Sequence, residues 1–247
     1  VESIAFEYIL YNYIATDYYA ADPYRSSDHD PIIVGMDLTP AEAEVTDLNL
    51  LNINDFHGRI DANTVNFAGT VEQLKAAAPE GSSLFLSAGD NIGASLFASS
   101  VQQDQPTIDV LNALGLRASA VGNHEFDGGF ADLTDRVVPA SDFEYLGANV
   151  YLKGTTTPAL PEYTILDVNG VKVAVIGAVT EETGTLVSPG GIATLEFGDP
   201  VEAVNRVAER LEAEGLADVI IAEYHEGAGS GTPDGATLEE EIAGGGA

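Results

Sequence analysis

From Leu48 to His225 the chain alternates compact apolar runs with stretches of helical spacing, and this alternation restricts the fold more than any other feature. LNLLNIN (48–54), SLFLSAGD (83–90), ASAVGN (118–123) and ADVIIAEYH (217–225) are short apolar runs that read as buried strands. AGTVEQLKAAA (68–78) has helical spacing, and PTIDVLNALG (106–115) opens with Pro and closes with Gly, an asymmetry that helices favour. DPVEAVNRVAERLEAEG (199–215) carries the clearest helix signal. Asp199 can cap it, Pro200 suits its first turn, Glu202 completes a box-like cap and Gly215 stops it. YTILDVNGVKVAVIGAV (163–179) is two alternating runs about Asn169-Gly170, a strong hairpin signal. The pattern predicts a layered α/β fold that mixes parallel crossovers with an antiparallel hairpin.

Such layers need a core, and apolar residues are 45% of the 247, with a mean hydropathy of +0.06. Charge is the anomaly. Forty acidic residues against 9 basic give a net charge of −31. Binding nucleic acid by phosphate neutralisation needs the opposite sign, so the charge argues against that route for the segment as a whole. A phosphate substrate would be repelled by the overall field and must be captured by something locally positive. The acidic surface suits a salty, extracellular or periplasmic setting. The chain has no cysteine, which excludes disulfides and thiolate metal sites. No apolar stretch approaches the ~18 residues needed to span a bilayer, and no signal-peptide pattern follows Val1.

The four histidines are His29 in SDHDP, His57 in NDFHGR, His124 in GNHEFD and His225 in EYHEG, each beside a carboxylate or an amide. Three of them follow directly on an apolar strand. Loops at the carboxyl ends of strands in an open α/β sheet converge on one crevice. Asp55, His57, Asp90, Asn123, His124 and His225 can therefore meet there. Carboxylate, imidazole and amide oxygen together suit Zn, Mn, Fe or Co better than Ca or Mg. Two such cations ~4 Å apart need a bridging ligand and clamp an in-line displacement at phosphorus. Asp90, alone at the end of its strand, is the natural bridge. The cations would also provide the local positive charge that the composition lacks.

Asp55-x-His57, Gly89-Asp90, Gly122-Asn123-His124-Glu125 and a later histidine after a strand resemble the calcineurin-like metallophosphoesterases. The strings LNINDFHGRI, LFLSAGDNIGAS, AVGNHEFDGG, YLGANV, VKVAVIGAVTEET and ADVIIAEYHEG, in this order, resemble the catalytic domain of secreted 5′-nucleotidases over residues 48 to about 230. The resemblance implies a layered metallophosphoesterase sandwich, a nucleotide or other phosphoester as small-molecule substrate, and a metal-activated water attacking phosphorus. It also implies roles. Asp55 and His57 would hold one divalent metal ion, Asn123 and His225 a second, and Asp90 would bridge both. His124 would stand beside the phosphate and donate a hydrogen bond to the oxygen that gains charge, with Asp127 orienting its ring. The same core also serves phosphodiesterases, nucleotide-sugar hydrolases and sulfur-ester hydrolases.

Residues 12–38 resemble the closing strands of an endonuclease/exonuclease/phosphatase domain, with Ile32–Val34 a short strand. Within it Asp28 and His29 would be catalytic, His29 beside a scissile phosphate. The expected organisation is thus a short β-rich remnant of a second α/β domain over 1–38, a linker over 39–47 and a truncated metallophosphoesterase domain over 48–247. Nucleic acid would be a partner only through the rest of that N-terminal nuclease domain. The Gly-His-x-His block that completes the metal shells in the resembling family, and the domain that grips the nucleotide, do not follow His225. These residues alone are expected to bind metal weakly and turn over slowly. Simpler readings stand beside these roles: Asp90 as cap of a following helix, Asp127 as cap of the helix after Gly128-Gly129, Glu125 behind the ligands or facing solvent. Arg59 could reach a phosphate or balance Asp61. GATLEEEIAGGGA, at the end, is acidic and glycine-rich and predicts no packed element.

Overall fold

The computed structural model describes residues 45–227. The reading of 1–38 as a nuclease-domain tail, with Asp28 and His29, lies outside these residues, as do most of the proposed linker and the acidic end.

Two sheets stack face to face. The first is wholly parallel, with neighbours in the order β1 (Asn49–Ile53), β2 (Ser83–Ser87), β3 (Ala118–Ala120) and β4 (Glu144–Leu146). Its crossovers carry α1 (Thr64–Ala76) and α2 (Gln105–Ala113). A small antiparallel pair joins β5 (Val150–Leu152) to β8 (Leu195–Phe197). The second sheet has β7 (Val171–Val179) at its centre, antiparallel to β6 (Tyr163–Val168) and parallel to β9 (Val219–His225). Between β8 and β9 lies α3 (Pro200–Glu214).

The period of two along the strands decides the layering. Leu84 and Leu86 of β2 face Leu166, Val168, Val173 and Val175 of the second sheet. Phe85, between them, points the other way and packs with Val71 of α1 and with Ile108 and Leu111 of α2. In β7, Val173 and Val175 line the space between the sheets, while Ala174, Ile176 and Ala178 meet Ala203, Val204, Val207 and Leu211 of α3. The result is four layers, helix, sheet, sheet, helix. The last seven residues of β7 are buried because both of its faces are covered.

Local chemistry fixes the ends. The Asp199 side chain accepts the Glu202 N–H, and Gly215 ends α3 at φ 61°. Asn169 and Gly170 both sit at positive φ, 52° and 86°, as the two-residue turn between β6 and β7 requires. Helix α1 starts at Thr64, four residues before the expected Ala68, because Asp61 and Thr64 close the preceding turn and Phe67 already packs on the core. The strand ends that sequence placed on one open sheet belong to two, with β9 in the second. Among the described residues no helix is long and apolar enough to cross a membrane.

Candidate metal centre

The carboxyl ends of β1 and β2 run straight into the candidate ligands, and the backbone there is bent. Asp55, His57 and Asp90 have φ of 52°, 47° and 52°, the left-handed region that costs residues with a Cβ roughly 1–2 kcal/mol each. Tertiary bonds hold them. Asp55 N–H donates to Gly89 O at 3.1 Å, His57 N–H to Asp90 O at 2.9 Å and Gly58 N–H to Asn91 O at 2.9 Å. The two loops therefore travel side by side. The loop after β3 joins them because Gly89 and Gly122 meet without side chains: a Cβ on Gly89 would lie 2.7 Å from Gly122 N.

Four side chains converge as a result. His225 Nε2 lies 3.2 Å from Asp90 Oδ2, and His57 Nε2 lies 3.7 Å from the same oxygen and 3.6 Å from Asp55 Oδ1. His57 Nδ1 donates to Gly93 O at 3.0 Å and His225 Nδ1 to Ala88 O at 3.1 Å. A carbonyl only accepts, so in both rings Nδ1 carries a proton, and Nε2 is the nitrogen that faces carboxylate oxygen. With Nε2 deprotonated, each ring offers a lone pair beside anionic oxygen, a pairing that a divalent cation can join. Rings fixed through Nδ1 on backbone carbonyls are the usual arrangement for imidazole ligands. The donor set fits divalent metal ions.

Two groups of donors form, Asp55 with Asp90 and His225, and His57 with Asp90 and His124, all donor atoms of a group lying within 4.8 Å of one another. Asp90, 3% exposed, belongs to both. Burial alone would raise its carboxyl, but the hydrogen bond and charge of His225, with the His124 backbone and ring, hold it below the ordinary carboxylate range. Burial would lower His225, yet Asp90 raises it, helped by Glu125 and Asp55. Asn123 lines the same cavity of about 670 Å³ as Asp55, Thr180, Tyr224 and His225.

His124 stands at the edge of the cluster. Its Nδ1 is 2.7 Å from Asp127 Oδ2, leaving Nε2 free, and its ring lies edge-on to His57 with centroids 5.0 Å apart. Burial would lower this imidazole, but the Asp127 hydrogen bond and the charges of Asp90, Asp127 and Glu125 raise it. Asp127 is therefore engaged with His124 rather than capping the next helix, whose N-cap is Gly129. Asp90 does not cap the segment that follows it, since its Oδ1 accepts the N–H of His124 on the loop after β3 at 2.9 Å. Arg59 is exposed.

Sequence reasoning missed the surroundings of these ligands. Asn91 is fully buried, bonded to Ser87 and Ser119 at 2.7 and 2.8 Å. Glu125, read as lying behind the ligands or facing solvent, is 1% exposed. Burial and the Asp90 charge push its carboxyl up, to about 7, against the pull of the Gly122 and Asp90 N–H groups.

Residues 48–241 match the profile of the family described as calcineurin-like phosphoesterase. Among curated proteins, the chain is similar to endonuclease YhcR of Bacillus subtilis (strain 168), 35% identical over 208 residues that cover 73% of this chain and 17% of that one. It is similar also to the 5′-nucleotidase of Vibrio cholerae, 36% identical over 188 residues, 73% of this chain and 34% of that one. Among solved structures, the calcineurin-like phosphoesterase YfkN from Bacillus subtilis superposes with a TM-score of 0.61 at 28% identity, over 76% of this chain and 65% of that one. The match thus spans about a third or less of the curated relatives' own length.

Proposed function

Because the chain belongs to the calcineurin-like phosphoesterase family and is a hydrolase of phosphoesters, we propose that it cleaves nucleotides as a 5′-nucleotidase does, at a pair of divalent cations. Asp55, His57, Asp90, Asn123 and His225 would hold the pair, drawn from Zn, Mn, Fe or Co. The single observation that carries this reading is Asp90, a buried carboxylate shared by two donor groups. When bound, the cations supply the positive charge that attracts a phosphoester into an acidic molecule and stabilises its oxygens as they gain charge.

The chain's own residues do the rest. His57 and His225, locked through Nδ1 on Gly93 O and Ala88 O, keep Nε2 aimed at the ligand cluster. Asp127 fixes the ring of His124 through Nδ1 and favours its protonated form, from which Nε2–H would donate to a phosphoryl or leaving-group oxygen. Thr180 and Tyr224 line the same cavity and offer a hydroxyl and an aromatic ring to the organic part of a substrate. The acidic composition favours an extracellular or periplasmic place of action. Asp28 and His29 belong to a separate, nuclease-like unit on this reading.

A second reading follows from the endonuclease named among the relatives: the same centre takes phosphodiesters. Adenosine 5′-monophosphate and bis(p-nitrophenyl) phosphate, offered separately with Mn²⁺, distinguish the two. Phosphate release from the monoester, lost on chelation and lowered about 10²–10⁴-fold by His124→Ala, is the expected result. Turnover of the diester alone selects the second reading, and a rate indifferent to chelation rejects both.

A further inference from the structure

We propose that Glu125 is a positioning residue that fastens the loop after β2 to the loop after β3 and thereby sets the metal ligands Asp90 and Asn123 in register. The proposal rests on the reading that these loops carry metal ligands. It comes from how fully the carboxylate is used. Glu125 Oε2 accepts the N–H of Asp90 at 2.9 Å and of Gly122 at 2.6 Å, while Oε1 accepts Asn91 at 2.8 Å and Ile92 at 3.4 Å. Four backbone donors, two to each oxygen, engage every acceptor site of the carboxyl group. Three come from consecutive residues after β2, and the fourth from Gly122 beside Asn123. None of the four belongs to a strand or helix ladder, so each would otherwise be a buried donor without a partner.

The geometry goes beyond a general contribution to folding. The Asp90 backbone is held at both ends, its N–H by Glu125 and its carbonyl by His57 N–H. Its side chain has one oxygen on the His124 N–H and the other facing His57 and His225. Any drift of the Glu125 carboxylate moves Asp90 against three of the other site residues. An amide at this position has one oxygen for four donors and turns its own NH₂ on the others, so Glu125→Gln releases one loop or the other while keeping nearly the same volume.

The test uses Mn²⁺ alone, titrated by calorimetry into the parent, Glu125→Gln and Val207→Ala. Val207 is a fully buried core residue of α3 on the far sheet, and its variant serves as a destabilised control. Glu125→Gln is expected to weaken Mn²⁺ binding about 10–100-fold, the usual effect of losing a group that orients a metal ligand, while Val207→Ala binds as the parent does. In the parent, hydrogen exchange should show the Asp90, Asn91, Ile92 and Gly122 amides protected as a set, a measurement that stands even if the variant fails to fold. Unchanged affinity in Glu125→Gln, equal weakening in both variants, or amides that exchange like exposed loops would each overturn the proposal. A parent protein that takes up no Mn²⁺ overturns the metal reading together with it, whereas unprotected amides overturn the fastening alone.

Discussion

Gly122 shows how much of the site depends on what a residue lacks. A Cβ built there would sit 2.1 Å from Asp90 Oδ1 and 2.6 Å from Asp90 N, so alanine forces the carboxylate and its loop aside. Gly122→Ala is expected to destabilise by about 1–3 kcal/mol, the range for overpacking a tight site, and to lower Mn²⁺ affinity as Asp90 moves. Urea unfolding with and without Mn²⁺ measures both. Unchanged values would mean that the loop yields without moving the ligand. Glycine and aspartate side by side, and asparagine beside histidine, stand out in the sequence as candidate ligand strings because those residue types carry chemistry. The reason for Gly122 and the burial of Glu125 were not, since their partners stand on another loop more than thirty residues away in sequence. A carboxylate next to a ligand looks the same in sequence whether it faces water or four backbone amides.

Legibility at the scale of elements follows length and chemical punctuation. Helix α3 has a stripe of Val204, Val207 and Leu211, a capping aspartate and a terminal glycine, and it spans Pro200–Glu214 within the expected 199–215. The hairpin about Asn169-Gly170 is equally explicit. Strands β4, β5 and β8 have three residues each, too few to display a period of two, and only their pairing defines them. Division of the strands between two sheets was hidden for a related reason. Apolar runs covered on both faces, as in β7, do not say which strand lies beside them. The cap on α3 can be weighed directly. Asp199→Ala removes the acceptor of the Glu202 N–H and should cost about 1 kcal/mol. In a domain of this size that is a fall of roughly 2–4 °C in Tm. Because α3 covers the second sheet, which carries His225 but none of the other candidate ligands, Mn²⁺ affinity should be nearly unaffected. A loss of affinity as large as that of Gly122→Ala would show that the sheets communicate more tightly than their separate cores suggest.

For the whole molecule, the chain carries a net charge of −31 while the proposed substrate is an anion, and the two signs act at different ranges. Surface carboxylates act over the Debye length, about 30 Å at 0.01 M salt and about 8 Å at 0.15 M. The ligand cluster acts within a few ångströms, with Asp90 at 3% exposure, and is screened far less. Added salt should therefore remove the repulsion that slows an incoming nucleotide and leave the local attraction in place. The expected outcome is a rise in kcat/KM for adenosine 5′-monophosphate with NaCl between these concentrations, at saturating Mn²⁺, with kcat nearly constant. The same screening relieves repulsion among the carboxylates, so Tm should rise in parallel. A kcat/KM that falls with salt would reverse the assignment of ranges: the field felt by the approaching substrate would already be positive, set by the occupied metal centre rather than by the acidic surface.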